Sequence, residues 1–520
     1  VLNTLSTAPF LSTAWLAGAA RLERPPVGER GTVALRLELT DPPPGEPPAV
    51  DVQVDLVAGR LGLAAAAGES PGLRIRLPLE AARALLLGPA RDRTGVFERG
   101  DVRAEGNFSL LFFIDAALER DASGHVAALR GTPGTTAREA APQPGTEDAA
   151  EAVRRARAAL PGTMRELERE VGTSTPGAQI YVSRDGVPLA DAGLGLARPG
   201  VAMTHRSLPL WYCCAKPLLS VALGRLWEAG AYDPYLPVAH YLPEFGNRGK
   251  ESITSMELLT HTGPLPTGDD PLHGIVAGPD EERVRRAFEV PVAPRPGGTP
   301  GINYSQWWAW FVLARILPVV DGREYRAYVQ EEILGPCGMS GTRVHLDREE
   351  FAALGGELPL IHVSNPEGGP LPTHWWSTEA ATTRCIPGVN TRGPLRDMGR
   401  LFEMLLRGGD APGGRVLAPP TVAALTARHR TGLQDRYGNA DWGMGFRLEC
   451  RQLDPRFTSF GSYASPRSFG HDGLWTAVVF ADPDAALVVA LHLNGKVEHE
   501  RHRERIVRLA DAVYQDLRLS

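Results

Sequence analysis

Cys213-Cys214-Ala215-Lys216 follows directly on the apolar stretch Leu208-Pro209-Leu210-Trp211-Tyr212, where a helix is expected to begin. Residues i and i+3 of a helix are neighbours, so the spacing puts a thiol and an ammonium on one face. That ammonium and the partial positive charge of a helix N terminus both favour thiolate over thiol. Cys-x-x-Lys on its own is a common accident. It constrains the fold through two later segments, Tyr304-Ser305-Gln306 and His471-Asp472-Gly473. A reaction centre built from all three needs a chain that brings distant segments to one cleft.

Each segment carries a chemical expectation. Tyr304 follows the Pro/Gly-rich run Pro296 to Gly301. A tyrosine near a lysine loses its proton more easily, because the cation favours phenolate, and it can then serve as a general base. The Gln306 amide can hydrogen-bond a substrate carbonyl. His471-Asp472-Gly473 precedes the strand-like run Thr476 to Phe480, and Gly473 lets substrate approach the strand closely. His471 and Asp472 are candidate substrate-contacting residues. Asn390 and Arg392 are candidates to line the pocket or to hold their loop, and His261 is expected to be structural. Trp307, Trp308, Trp310, Trp375 and Trp376 could form an aromatic wall, with packing in the core or a lid as the default. His499 and His502 fall in a charged stretch and read as a solvated helix face. No zinc-type cluster, phosphate-binding loop or dinucleotide fingerprint is present, so neither metal nor cofactor is expected.

At 520 residues the chain suits two or three domains. From residue 1 to 130, apolar residues alternate in period two at Val33 to Leu39, Val50 to Leu56 and Leu73 to Leu77, which predicts half-buried antiparallel strands. Pro78 opens a predicted helix, Leu79 to Leu87, stopped by Gly88, and Asn107 to Leu118 predicts a closing helix. Residues 131–147 read as a linker. Helices are then predicted from Asp148 to Leu160 and from Met164 to Val171, broken at Pro161-Gly162, in a second domain covering 148–520. The formal net charge of −6 speaks against a nucleic-acid partner, and no apolar run is long enough for a membrane span. The five cysteines (213, 214, 337, 385, 450) are odd in number and scattered, and no basic leader opens the chain. Both points predict a cytoplasmic setting, with the cysteines other than Cys213 packing in the core.

The three segments, in this order, resemble the signature of the class C β-lactamase-like and penicillin-binding-protein-like serine hydrolases. Flanking stretches extend the likeness over 176–495: Pro176 to Gly186, Gly224 to Asp233, Leu258-Leu259-Thr260-His261-Thr262-Gly263, Gly335 to Met339, Trp442 to Phe446 and Asp482-Pro483-Asp484. The family places Ser where this chain has Cys213, Asn where it has Gln306, and Lys-Thr-Gly or His-x-Gly at 471–473. The resemblance implies an α+β chain. Its second domain would be an antiparallel sheet flanked by helices, with an all-helical subdomain. It implies Cys213 as nucleophile, Lys216 and Tyr304 as proton carriers, and the N–H groups of Cys213 and Leu474 as the oxyanion hole. His471 would be catalytic, with Gln306, Asp472, Gly473 and Asn390 binding substrate. The expected activity is acyl transfer or hydrolysis of an ester, thioester or amide through acyl-Cys213. The alternatives are an esterase or amidase using water, or an inactive binding protein. Partners would be a small-molecule acyl donor and acceptor, with a carrier thioester or lipid-like acyl chain among the candidate donors. Residues 1–130, through Leu79 to Gly88 and Val96 to Asn107, resemble a sterol-carrier-protein-like domain.

Overall fold

A computed structural model describes residues 32–42, 49–55, 60–63, 73–87, 103–106, 146–265, 280–292, 304–365, 369–373, 376, 378–435, 438–451 and 460–519. The chain divides into two compact units, Val1–Pro142 with Leu360–Ala381, and Gln143–Pro359 with Thr382–Ser520.

The first unit contains a five-stranded sheet. Its strands are β1 (Thr32–Leu39), β2 (Ala49–Asp55), β3 (Arg60–Leu63), β4 (Leu73–Leu77) and β5 (Arg103–Gly106), in the order β3-β2-β1-β4-β5. The alternation works as expected: Leu35, Leu37, Leu39, Val50, Val52, Ile75 and Leu77 are buried, while Arg74 and Arg76 are exposed. The expected all-antiparallel pairing is corrected at one place, because β1 and β4 run parallel. Side chains alternate with period two in both kinds of ladder, so the pattern cannot distinguish them. Helix α1 spans Leu79–Leu87, directly after Pro78, and buries Ala81, Ala82, Leu85 and Leu86. Asp41 caps it, accepting the Leu79 N–H at 2.5 Å. The predicted helix 107–118 lies outside the described residues.

In the second unit, helices α2 (Thr146–Ala159) and α3 (Pro161–Thr173) meet at Pro161, which occupies the first turn of α3. Proline is at home there because its missing N–H would be unpaired anyway. The two helices therefore extend beyond the predicted 148–160 and 164–171, and Thr146 and Glu147 belong to α2. The Asp516 carboxylate accepts the N–H groups of Gly162 and Thr163 and the Thr163 hydroxyl, at 2.8–3.0 Å. A negative charge at a helix N terminus is favourable.

An antiparallel eight-stranded sheet is the backbone of this unit. Its members are β6 (Gly177–Arg184), β7 (Val187–Arg198), β8 (Val201–Ala202), β9 (Asp441–Trp442), β10 (Arg447–Leu448), β11 (Phe469–Gly473), β12 (Ala477–Asp482) and β13 (Leu487–Leu493), ordered β9-β10-β11-β12-β13-β6-β7-β8. β12 and β13 are buried along their whole length. The β6–β7 hairpin turns at Asp185-Gly186, both at positive φ (52° and 74°), the pairing that fits the right-handed strand twist. Helix α4 (Lys216–Glu228) is buried through most of its length. Helices α5 (Trp308–Ala314) and α6 (Leu395–Leu406) are also largely buried. The last helix, α7 (His499–Asp516), buries Ile506, Leu509 and Val513, which lie three and four residues apart and so share one face.

Candidate active site

The apolar stretch before Cys213 is fixed by the segment 391–393. The Trp211 N–H donates to Thr391 O at 2.9 Å, and the Trp211 indole N–H donates to Gly393 O at 2.8 Å. Tyr212 then takes φ 48°, in the left-handed region, a conformation costing a bulky residue about 1–2 kcal/mol. Such strain persists only where the surroundings over-determine it. The kink turns Cys213 into the cleft.

Cys213 is not in the first turn of an α-helix, as the sequence predicts. It lies in a single 3₁₀ turn, Tyr212–Ala215, and α4 starts at Lys216. The consequence for spacing is small, because i and i+3 eclipse in a 3₁₀ turn. The Lys216 N–H closes that turn by donating to Cys213 O. Pro217, in the first turn of α4, fits the tightening.

Lys216 is fully buried. Its ammonium donates to Gln306 O at 3.2 Å and Gly388 O at 3.3 Å. It also stands 5.5 Å from the centroid of the Tyr304 ring and 5.3 Å from that of Trp310. Lys216 thus joins the nucleophile turn to the Tyr304 segment. Tyr304 is set by its neighbour: the Ser305 N–H donates to His261 Nδ1 at 3.2 Å, and Ser305 Oγ accepts the Ala309 N–H at 3.0 Å in α5. The His261 ring packs 4.5 Å from those of Tyr304 and Trp442. Burial, with help from Lys216 and Arg430, pushes His261 well below the usual histidine range. It is a neutral structural histidine, as expected.

The third segment arrives on β11. Gly473 comes so near the nucleophile turn that a Cβ there would lie 2.5 Å from Trp211 O and 3.3 Å from Cys214 Sγ. The Cys214 thiol donates to His471 O at 3.3 Å, a second tie between the turn and the strand. Strand alternation separates the neighbours. Asp472 faces the cleft, and His471 lies behind it, fully buried and 6.3 Å ring to ring from Tyr304. His471 Nδ1 lies 2.7 Å from Asp472 O, an acceptor, so the imidazole donates there. Burial, reinforced by Lys216, pushes His471 down to about 3. Asp472 pairs with Arg447 (Nη1 to Oδ1, 3.2 Å); burial opposes its charge, yet Arg447 holds the carboxyl down to about 2.

The cleft holds about 180 Å³ and is lined by Tyr212, Cys213, Tyr304, Gln306, Trp307, Ala440, Trp442, Arg447, Asp472, Leu474, Trp475 and His499. Of the predicted site residues, Cys213, Tyr304, Gln306, Asp472 and Leu474 reach its wall. Lys216, His471 and Gly473 stand in the layer behind. Asn390 is corrected as a substrate contact. It is buried, its Oδ1 accepts the Ile386 N–H at 3.0 Å and its Nδ2 donates to Arg384 O, so its amide braces a loop.

The solvated-face reading of His499 and His502 also fails, since His499 lines the cleft and His502 is buried against Arg505. Arg447, Trp475 and His499 were missed; only the helical phase of the last carries a sequence signal. Cys214, Cys337 and Cys450 are buried, and burial pushes the Cys214 thiol well up. Among the described residues, no cluster suited to a metal ion occurs, and no helix is long and apolar enough to cross a membrane.

Residues 164–514 match the family model described as Beta-lactamase. Over 368 residues the chain is 28% identical to esterase EstB of Burkholderia gladioli, covering 65% of this chain and 90% of that one. It is 24% identical to the esterase/beta-lactamase LipL of Mycobacterium tuberculosis over 356 residues, 61% of this chain and 77% of that one. Among solved structures, a penicillin-binding protein homologue from Caulobacter crescentus aligns with a TM-score of 0.56 at 20% identity, covering 69% of this chain and 97% of that one. EstCE1, described as a hydrolase with promiscuous acyltransferase activity, aligns with a TM-score of 0.57 at 18% identity, covering 69% and 99%.

Proposed function

This chain belongs to the Beta-lactamase family, and from that premise we propose that it transfers acyl groups through a thioester on Cys213. The observation carrying the reading is that Cys213 and Tyr304 line one cleft, while Lys216, one turn after Cys213, bonds the Tyr304 segment at Gln306 O and stands beside the Tyr304 ring. Esterase relatives support a hydrolase or acyl-transfer role at the level of the family.

The chemistry balances with these groups alone. Cys213 Sγ, as thiolate, adds to the carbonyl carbon of an ester, thioester or amide. The bond to the leaving group breaks, and the Tyr304 hydroxyl gives that group its proton. The resulting phenolate is stabilised by Lys216. It then takes the proton of the acceptor as the acceptor adds to the thioester carbon. The C–S bond breaks and sulfur departs as thiolate. In both steps the tetrahedral oxyanion sits between the N–H groups of Cys213 and Leu474, and one such donor contributes roughly 3–4 kcal/mol. Splitting one difficult displacement in two is the gain of covalent catalysis.

Five aromatic rings on the cleft wall (Tyr212, Tyr304, Trp307, Trp442, Trp475) favour an apolar acyl group. A thioester is more reactive toward amines than an oxygen ester, which favours an amine or a second thiol over water as acceptor. The test is product analysis with an activated ester, with and without added amine. Amide formation in preference to free acid is expected. Free acid alone at high amine concentration contradicts the transfer reading and leaves a thiol esterase.

A further inference from the structure

The loop joining β11 to β12 is a tight turn, Gly473-Leu474-Trp475-Thr476, closed by the Thr476 N–H and hydroxyl, which donate to Gly473 O at 2.8 and 2.9 Å. Its two central residues both have positive φ, 33° at Leu474 and 60° at Trp475. Asn and Gly adopt that geometry readily, whereas Leu and Trp resist it. Local preference therefore does not hold the turn. Something else must.

The hold comes from α7. Arg505 is fully buried, and its Nη2 donates to Trp475 O at 2.7 Å and to Gly495 O at 2.9 Å. Its Nε donates to His502 Nδ1 at 3.2 Å, and its Nη1 reaches Ser174 Oγ at 3.5 Å. Among the described residues, none of these acceptors is a carboxylate. A buried cation without a bonded anion is costly, and main-chain carbonyls are a poor substitute. The Glu170 carboxylate acts on it only at one remove, by accepting from the Ser174 hydroxyl that Nη1 reaches, so no direct ion pair accounts for the guanidinium. Its rigid fork instead ties the turn to the segment after β13, and a point charge such as lysine cannot span the same acceptors. Lys496, 5.0 Å from the Trp475 ring centroid, braces the same residue from its side chain.

We propose that Arg505 is a positioning residue for acyl transfer, holding the strained turn so that the Leu474 N–H points at the oxyanion. This rests on the reading of Leu474 as an oxyanion donor. Arg505 touches no reacting atom and acts only through the Trp475 carbonyl.

Alkylation and acylation of the same sulfur separate this role from a general one. Displacement of iodide from iodoacetamide creates no oxyanion, so it does not sense the Leu474 N–H, whereas acylation by a p-nitrophenyl ester does. In full-length Arg505→Lys, the single-turnover acylation rate should fall tenfold or more with KM little changed. Iodoacetamide labelling of Cys213 should stay within twofold of the starting protein. Arg505→Gln provides the same comparison if the lysine variant does not fold. Leu474→Asn, which suits the turn unaided, should shrink the Arg505→Lys effect to threefold or less.

Acylation unchanged by either Arg505 variant, or acylation and alkylation falling together, overturns the role of Arg505 alone. A starting protein that alkylates at Cys213 but accepts no acyl group overturns the proposed function, and this inference with it.

Discussion

Replacing Gly473 with alanine drives a methyl group into the main chain of the nucleophile turn. The added Cβ would sit 2.5 Å from Trp211 O, with Ala477 Cβ and Cys214 Sγ both at 3.3 Å. The hard contact is with a carbonyl that cannot rotate away, because Trp211 is held at its N–H by Thr391 O and at its indole by Gly393 O. Relief therefore requires the end of β11 to back off by roughly 0.5–1 Å.

Two costs follow. Overpacking of this kind costs about 1–3 kcal/mol of stability. The retreat also carries the Leu474 N–H away from the oxyanion, and loss of one such donor costs about 3–4 kcal/mol in the transition state, or roughly 10²–10³ in rate. The assay is the burst of nitrophenolate on mixing the variant with a p-nitrophenyl ester, with folding checked by thermal melting. A folded Gly473→Ala protein that acylates at the parent rate refutes the placement of β11 as one wall of the oxyanion hole.

Lys216→Met leaves Gly388 O buried without its ammonium donor, at about 1–3 kcal/mol, and also removes the donor to O of the half-buried Gln306. Melting should therefore drop, and both acylation and iodoacetamide labelling of Cys213 should slow by tenfold or more; unchanged labelling contradicts the Cys213–Lys216 pairing. Acid stability should follow the buried histidines. His471 and His492 are both pushed down to about 3, by burial first, from an unfolded value near 6.5. Below that value the unfolded chain binds the extra protons, so stability is complete above about pH 6.5 and is lost as pH falls toward 3. Each histidine adds a slope of up to about 1.4 kcal/mol per pH unit in that window. Urea titrations from pH 7 to 4 should show it, and His471→Gln should remove one proton of the slope; a flat profile contradicts the burial of these rings as neutral bases.

Period-two alternation was enough to find β1, β2 and β4, because burial on one face selects residues such as Leu35, Leu37 and Ile75 whatever the partner strand, but the four-residue strands β3 and β5 are too short to show it. It was silent on the direction of β4, since parallel and antiparallel ladders share that period. Pro161-Gly162 reads as a break with the helix resuming at Met164, whereas α3 starts at Pro161 itself, because proline at a first-turn position needs no break. In the site, the motifs that carry chemistry were readable, but the side each residue faces was not. Asp472 and His471 are neighbours on one strand and must point opposite ways; which of them meets the cleft depends on what packs behind the sheet. Arg447, Trp475 and His499 reach the cleft from three separate elements, a juxtaposition set by tertiary packing. His502 was the avoidable error. It shares a helical stripe with Ile506, Leu509 and Val513, and that phase outweighs the charges around it.

The central claim is a covalent bond between an acyl group and one sulfur, and intact mass spectrometry reads it directly. After brief incubation with activated esters and thioesters and acid quench, the chain should gain the mass of one acyl group. Peptide mapping should place it on Cys213, and Cys213→Ala should abolish it. An adduct on another residue, or none while ester is being turned over, contradicts the account.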